Sequence, residues 1–253
     1  LISNPHRMAP MSVSHAAPRR SRGAVRATLG VFGELLITIG VVLLLSVVWE
    51  LWWTTFKVEG GMADRIHEFQ MEYPSNDAVS EIRNTDDPPN PGDVPLGEVF
   101  GVLHVPKWNW MEIPIVQGTG PEELDLGNAG HYVETQMPGQ LGNSALAGHR
   151  RTYGNNFRRV DIMEPGDPIV VEIDQAYIVF EVTDHEIVWP HESEVVLPVP
   201  RQPGAEPTKR LLTLTTCHPE FGNSQRFILY SEMVYWTPKD SGIPPVLHKE
   251  KSD

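Results

Sequence analysis

Between Val31 and Trp53 the chain reads VFGELLITIGVVLLLSVVWELWW, 23 residues with only Glu34 and Glu50 charged. No other feature constrains the fold as much, because an apolar run of this length needs either a bilayer or complete burial. The uncharged part, Leu35 to Trp49, is only 15 residues long. Spanning therefore requires Glu34 and Glu50 to lie near the two interfaces, with Trp49, Trp52 and Trp53 forming an aromatic belt at the far end. No small-residue cleavage pattern follows the run, so it reads as an uncleaved anchor over residues 27–53 rather than a signal peptide. Residues 1–26 form a basic tail, with Arg7, Arg19, Arg20, Arg22 and Arg26 and no acid before Glu34. That bias predicts a single-pass protein of the cell membrane with a cytoplasmic N-terminus and everything after about Lys57 outside the cytoplasm.

Charge separates the two sides of the anchor. The 200 residues after Trp53 hold 31 of the 33 acids but only 15 of the 20 Lys and Arg, a net of −16. Phosphate backbones need a basic footprint, so nucleic acid is excluded as a partner of this part. The chain has one cysteine, Cys217, which excludes an internal disulfide and a zinc site built from several thiolates. HExxH, EF-hand, GxSxG and Walker patterns are also missing, so no metal or cofactor is assigned.

Residues 54–97 read as a juxtamembrane helix followed by a spacer. Met62, Ile66, Phe69 and Tyr73 recur at helical spacing. Residues 75–97 then carry Pro88, Pro89, Pro91 and Pro95 with five acids and one arginine, a composition that builds no core and predicts an extended segment holding the next domain off the bilayer. Residues 98–238 hold short apolar or alternating runs, VFGVLHV, IPIVQ, NSALAG, DPIVVEI, AYIVFEV, EIVW, RLLTLTT and RFILYSEMVYW, divided by Gly, Pro and Asn turns. The reading is an all-β domain, a closed or nearly closed barrel, with short helices near Glu122 to Leu126 and Asn155 to Asp161. Residues 239–253 read as a weakly ordered C-terminal tail.

Cys217 is an inert buried residue, an intermolecular link or a reactive thiol. Its setting favours the last. RLLTLTTC and RFILYSEMVYW are strands joined by the polar loop HPEFGNSQ, so antiparallel pairing brings Cys217 and Arg226 together at a sheet end. An arginine there favours thiolate and can donate to a carbonyl oxygen as it turns negative; the alternative is a solvated strand-end charge. A nucleophilic thiol also needs a proton acceptor that later protonates a leaving amine. His218 is adjacent, but neighbours on a strand face opposite ways. His149, after NSALAG at another strand end, is better placed. His104 lies inside a strand run, His131 in a glycine-flanked loop, and His185 and His191 around a tryptophan-containing strand; these read as packing or surface residues.

The segment LTLTTCHPEFGNSQRF resembles the cysteine-to-arginine signature of sortases, and NSALAGHRRTYGNNF resembles the segment carrying their catalytic histidine. The match runs in order from Gly97 to Thr237, and the TLTTCHP form with an N-terminal anchor is similar to the class E group of actinobacteria. The resemblance implies an eight-stranded sortase-type β-barrel with short helices, preceded by the transmembrane helix. It implies Cys217 as nucleophile, His149 as general acid/base and Arg226 as the group that stabilises the oxyanion or positions substrate. The implied partners are secreted proteins with a C-terminal LPXTG- or LAXTG-like sorting signal and an acceptor amine from a peptidoglycan precursor or a pilin. Val195 to Pro207 falls where many members build part of the signal groove. Two rival readings remain: a thiol hydrolase with the same acylation chemistry, and a non-catalytic envelope-binding domain.

Overall fold

A computed structural model describes residues 22–248. The expected basic tail before Arg22 lies outside the described residues, as do residues 249–253 and the side chains of residues 22–26, 28 and 50–57, which include Glu50 of the expected far interface and Trp52 and Trp53 of the expected aromatic belt. Helix α1 is assigned over Arg22–Glu72. The chain divides into two compact units at Glu50 and Leu51. The first contains Leu29–Trp49, a helical stretch of 21 residues long and apolar enough to cross a membrane.

The second unit is built on eight strands: β1 (Val99–Val105), β2 (Met111–Gln117), β3 (Ala129–His131), β4 (Gly142–Ala147), β5 (Pro168–Ile173), β6 (Ala176–Val188), β7 (Arg210–His218) and β8 (Gln225–Pro238), with the four-residue helix α2 (Pro121–Leu124) between β2 and β3. They close into a barrel in the order β1-β2-β3-β4-β7-β8-β6-β5. Pairs β2/β3 and β4/β7 are parallel and the remainder antiparallel. Strand alternation sends Leu103, Ile113, Leu146, Val171, Ile178, Leu212, Leu214 and Leu229 into one interior core. Closure leaves the sheet with no free edge.

Several outer-face positions are covered as well. From α1, Ile66 and Phe69 pack on Val102 of β1, so the amphipathic pattern of Met62 to Tyr73 is used for docking on the barrel. The juxtamembrane helix expected there is the last part of α1, which ends at Glu72. On another side Val195, in the turn Ser193–Val196, packs against Val188 of β6 and Ile228 of β8.

The proline-rich segment was expected to stand clear of the domain, and instead it lies on it. Asn84 and Trp236 exchange both backbone hydrogen bonds at 2.9 Å, Ser80 N–H donates to Ile243 at 2.8 Å, and Trp236 Nε1 donates to Asp86 at 3.1 Å. A segment too polar to make its own core can still satisfy its backbone on a sheet already formed. The expected loose tail is corrected in the same way up to His248. Lys239 is 3% exposed, and Ile243, Val246 and Leu247 pack on Tyr177, Val179 and Tyr235. Glu186 to Val188 of the run EIVW end β6 rather than forming a separate strand, and His131 ends the three-residue β3 instead of lying in a loop. Residues 155–161 form turns, with a single 3-10 turn at Val160–Ile162.

Burying Lys239 requires a counter-charge. Its Nζ lies 2.7 Å from Glu172 Oε1, while His104 Nε2 lies 2.8 Å from Glu172 Oε2. Burial alone would depress the His104 pKa, but hydrogen bonds to Glu112 and Glu172 outweigh it and raise the group from 6.5 to about 8. A raised folded-state pKa stabilises the fold fully below the unfolded value. That contribution should therefore disappear as pH rises from 6.5 through about 8, lowering the urea midpoint followed by near-UV circular dichroism. Glu172→Gln removes the counter-charge from both cations and should cost about 3–5 kcal/mol in the same measurement.

Candidate active site

The parallel β4/β7 ladder and the β7/β8 hairpin bring the sequence-predicted residues to one place. In the hairpin Cys217 is the direct cross-strand partner of Arg226. Interior residues Phe227 and Leu229 alternate with Ile228, which packs outside the barrel, so Arg226 and Cys217 share the outer face. On the other side of β7, Ala147 is level with Thr215, and the ladder continues as Gly148 N–H donates to Thr215 at 3.1 Å and Thr216 Oγ1 donates to Gly148 at 2.7 Å. β4 ends at Ala147, and carried two residues further the same register would put His149 level with Cys217. A Cβ at residue 148 would stand 2.8 Å from the Phe157 ring, so glycine lets the chain turn over this aromatic just before the histidine.

The thiol of Cys217 is half-buried and in no disulfide. The imidazole of His149 is held through Nε2 by Asp125 Oδ1 at 2.8 Å, with the Tyr153 ring tilted against it at 33° and 5.0 Å between ring centroids. The nearby Asp125 carboxylate raises the Tyr153 phenol above its ordinary pKa. Arg226 spends Nη1 on the carbonyls of Asn223 and Gln225, both at 2.9 Å, which leaves Nε and Nη2 as donors at the strand end. One wall of this face is the β6–β7 connection, anchored by Val195 and by Asn143 Nδ2 donating to Leu197 at 3.1 Å. His218 faces away from the thiol's side, its Nδ1 3.1 Å from Arg150 Nη1.

A family model described as Sortase domain matches residues 103–234, more than half of the chain. The chain belongs to the sortase family. Among curated relatives, Sortase SrtE1 of Streptomyces coelicolor is 36% identical over 251 residues, covering 94% of this chain and 67% of the relative. Sortase SrtE2 of the same organism is 34% identical, covering 85% of this chain and 86% of its own length. The SrtA sortase from Actinomyces oris superposes with a TM-score of 0.64 at 46% identity, over 68% of this chain and 99% of that one. Sortase E1 from Streptomyces coelicolor, solved with a tripeptide in its active site, matches with a TM-score of 0.57 at 39% identity, over 62% of this chain and all of that one. The protein is thus a class E-like sortase, a cysteine transpeptidase.

Three residues of this sortase site carried no signal readable from spacing. Asp125 lies 24 positions before His149, in the turn ending α2. Arg150 is 3% exposed, lies over the Phe227 ring, pairs with Asp161 at 3.0 Å and reaches the Cys217 carbonyl at 3.4 Å. It therefore braces the backbone that carries the thiol. Tyr132 places its hydroxyl 3.0 Å from Thr215 Oγ1, two positions before Cys217. By contrast His131 is fully buried between Gln117 and the Gln136 carbonyl, and that burial lowers its pKa.

Proposed function

We propose that this sortase is held in the cell membrane by residues 27–53 with its N-terminus in the cytoplasm, and cleaves an LPXTG- or LAXTG-like sorting signal between Thr and Gly. The Cys217 thiol gives its proton to His149 as the sulfur attacks the Thr carbonyl carbon, the C–N bond to Gly breaks, and His149 passes that proton to the departing amine. The resulting thioester keeps the acyl group reactive, so amide exchange needs no ATP. An amine of a peptidoglycan precursor or a pilin then attacks the thioester, transfers its proton to His149 and releases the sulfur. Arg226 donates hydrogen bonds to the carbonyl oxygen as negative charge develops. Secreted proteins carrying the signal are the acyl donors.

One observation carries this reading: Cys217 stands directly opposite Arg226, with the strand leading to His149 in register on its other side. The tripeptide in the active site of the Streptomyces coelicolor enzyme supports a peptide ligand on the corresponding face here. The test is product analysis by mass after incubation with a sorting-signal peptide and an amine. The amide-exchanged peptide should form; hydrolysis alone with every amine tried would contradict transfer. Arg226→Ala should lower kcat/KM by about 100- to 1000-fold, as expected for removal of one oxyanion donor. Activity near wild type in that variant would remove the arginine from the mechanism.

A further inference from the structure

We propose that Asp125 is a positioning residue for His149: it accepts a hydrogen bond from Nε2–H and thereby presents Nδ1 as the atom that exchanges protons with the Cys217 sulfur. The proposal rests on the acid/base role of His149 given above. An imidazole can serve as base through only one nitrogen, and the bond made by the other decides which. Here the committed nitrogen is Nε2, 2.8 Å from the Asp125 carboxylate.

An exposed ion pair of this length can be without consequence, so what holds the carboxylate decides the matter. Asp125 lies in a turn that is secured on several sides. Its N–H donates to Pro121 at 3.0 Å. On α1, Arg65 donates through Nη2 to the Leu126 carbonyl at 2.6 Å and through Nε to Asn128 Oδ1 at 3.1 Å. Asn128 in turn donates to the Glu123 carbonyl at 2.8 Å, and Asn156 donates to the Gly127 carbonyl. Gly127 has φ 82°, and a Cβ there would stand 2.5 Å from Val58 and 2.7 Å from Met62, so α1 lies directly on the turn. The Tyr153 ring, from the following loop, lies tilted against one face of His149. A carboxylate carried on a turn whose backbone is held this way loses less freedom when it holds the ring, and the ring is confined on one face and at one nitrogen.

The experiment compares Asp125→Ala and Asp125→Glu with the wild-type full-length enzyme in detergent. The alanine variant should lower kcat by about 10- to 100-fold with KM for the sorting-signal peptide changed by less than about twofold, since orientation and not peptide binding is lost. Asp125→Glu should restore part of kcat because the acceptor returns. In 15N-histidine spectra the wild-type His149 ring should show a single Nε2-protonated tautomer, and Asp125→Ala should lose that preference. Should the alanine variant unfold, Asp125→Asn carries the same test, because its amide can donate to Nε2 and favours the opposite tautomer. An unchanged kcat together with an unchanged tautomer in these variants, while His149→Ala is inactive, would overturn the proposal alone. Wild-type turnover by His149→Ala would reject the catalytic reading and the proposal with it.

Discussion

Cys217→Ala should reduce transpeptidation by on the order of 10⁴-fold or more while leaving the domain folded. No other thiol exists in the chain to substitute for it. The side chain stands on the outer face of β7, outside the interior cluster of Leu212, Leu214 and Leu229, so trimming it to a methyl opens no cavity in the core. Its ladder bonds to Arg226 are made by the backbone and survive the substitution. The pairing of observations matters: loss of the exchanged product together with an unchanged thermal midpoint assigns a chemical role to the sulfur. A folded alanine variant that still exchanges amides at the wild-type rate would remove the nucleophile from the account.

His149→Ala should lower kcat by about 100- to 10,000-fold, the usual contribution of a positioned acid or base. The imidazole contacts Asp125 and Tyr153, both near the surface, rather than the barrel interior. Its removal should therefore shift the thermal midpoint by less than about 2 °C. Stopped reactions separate the two roles. Without Cys217 no acyl-enzyme forms, whereas without His149 the thiol remains and acylates slowly, because the leaving amine departs unprotonated. Equal rates of acyl-enzyme formation in wild type and His149→Ala would show that the proton to the leaving group comes from elsewhere.

Local pattern made most of the barrel legible. Runs such as VFGVLHV and RLLTLTT alternate or stay apolar over strand length, and each coincides closely with a strand, β1 and β7. The hairpin loop HPEFGNSQ determines which residues face each other, so the Cys217–Arg226 pair is legible in the sequence alone. The three-residue β3 was not, since Ala129–His131 is too short for any periodicity and is held by parallel pairing to β2, a non-local contact. Asp125 was hidden for a related reason. Its partnership with His149 depends on where α2 ends and on α1 packing over Gly127, neither of which leaves a spacing signature.

Composition misled most in the segments flanking the domain. Prolines and acids between residues 75 and 97 describe a chain that makes no core, but they do not say whether a neighbouring sheet will accept its backbone. Trp236 does, through Asn84 and Asp86. The residues from Lys239 onward likewise looked too polar to dock, yet the ammonium is buried because Glu172 waits for it on β5. In both cases the missing information was a partner distant in sequence.

The most direct measurement is the intact mass of the enzyme after brief incubation with a sorting-signal peptide and no amine. A thioester at Cys217 predicts a new species heavier by the acyl fragment ending in Thr, located by fragmentation to the Cys217 peptide. Adding amine should discharge it with formation of the exchanged amide. Exchange that proceeds at full rate with the fragment never found on Cys217, or found on another residue, would contradict the account.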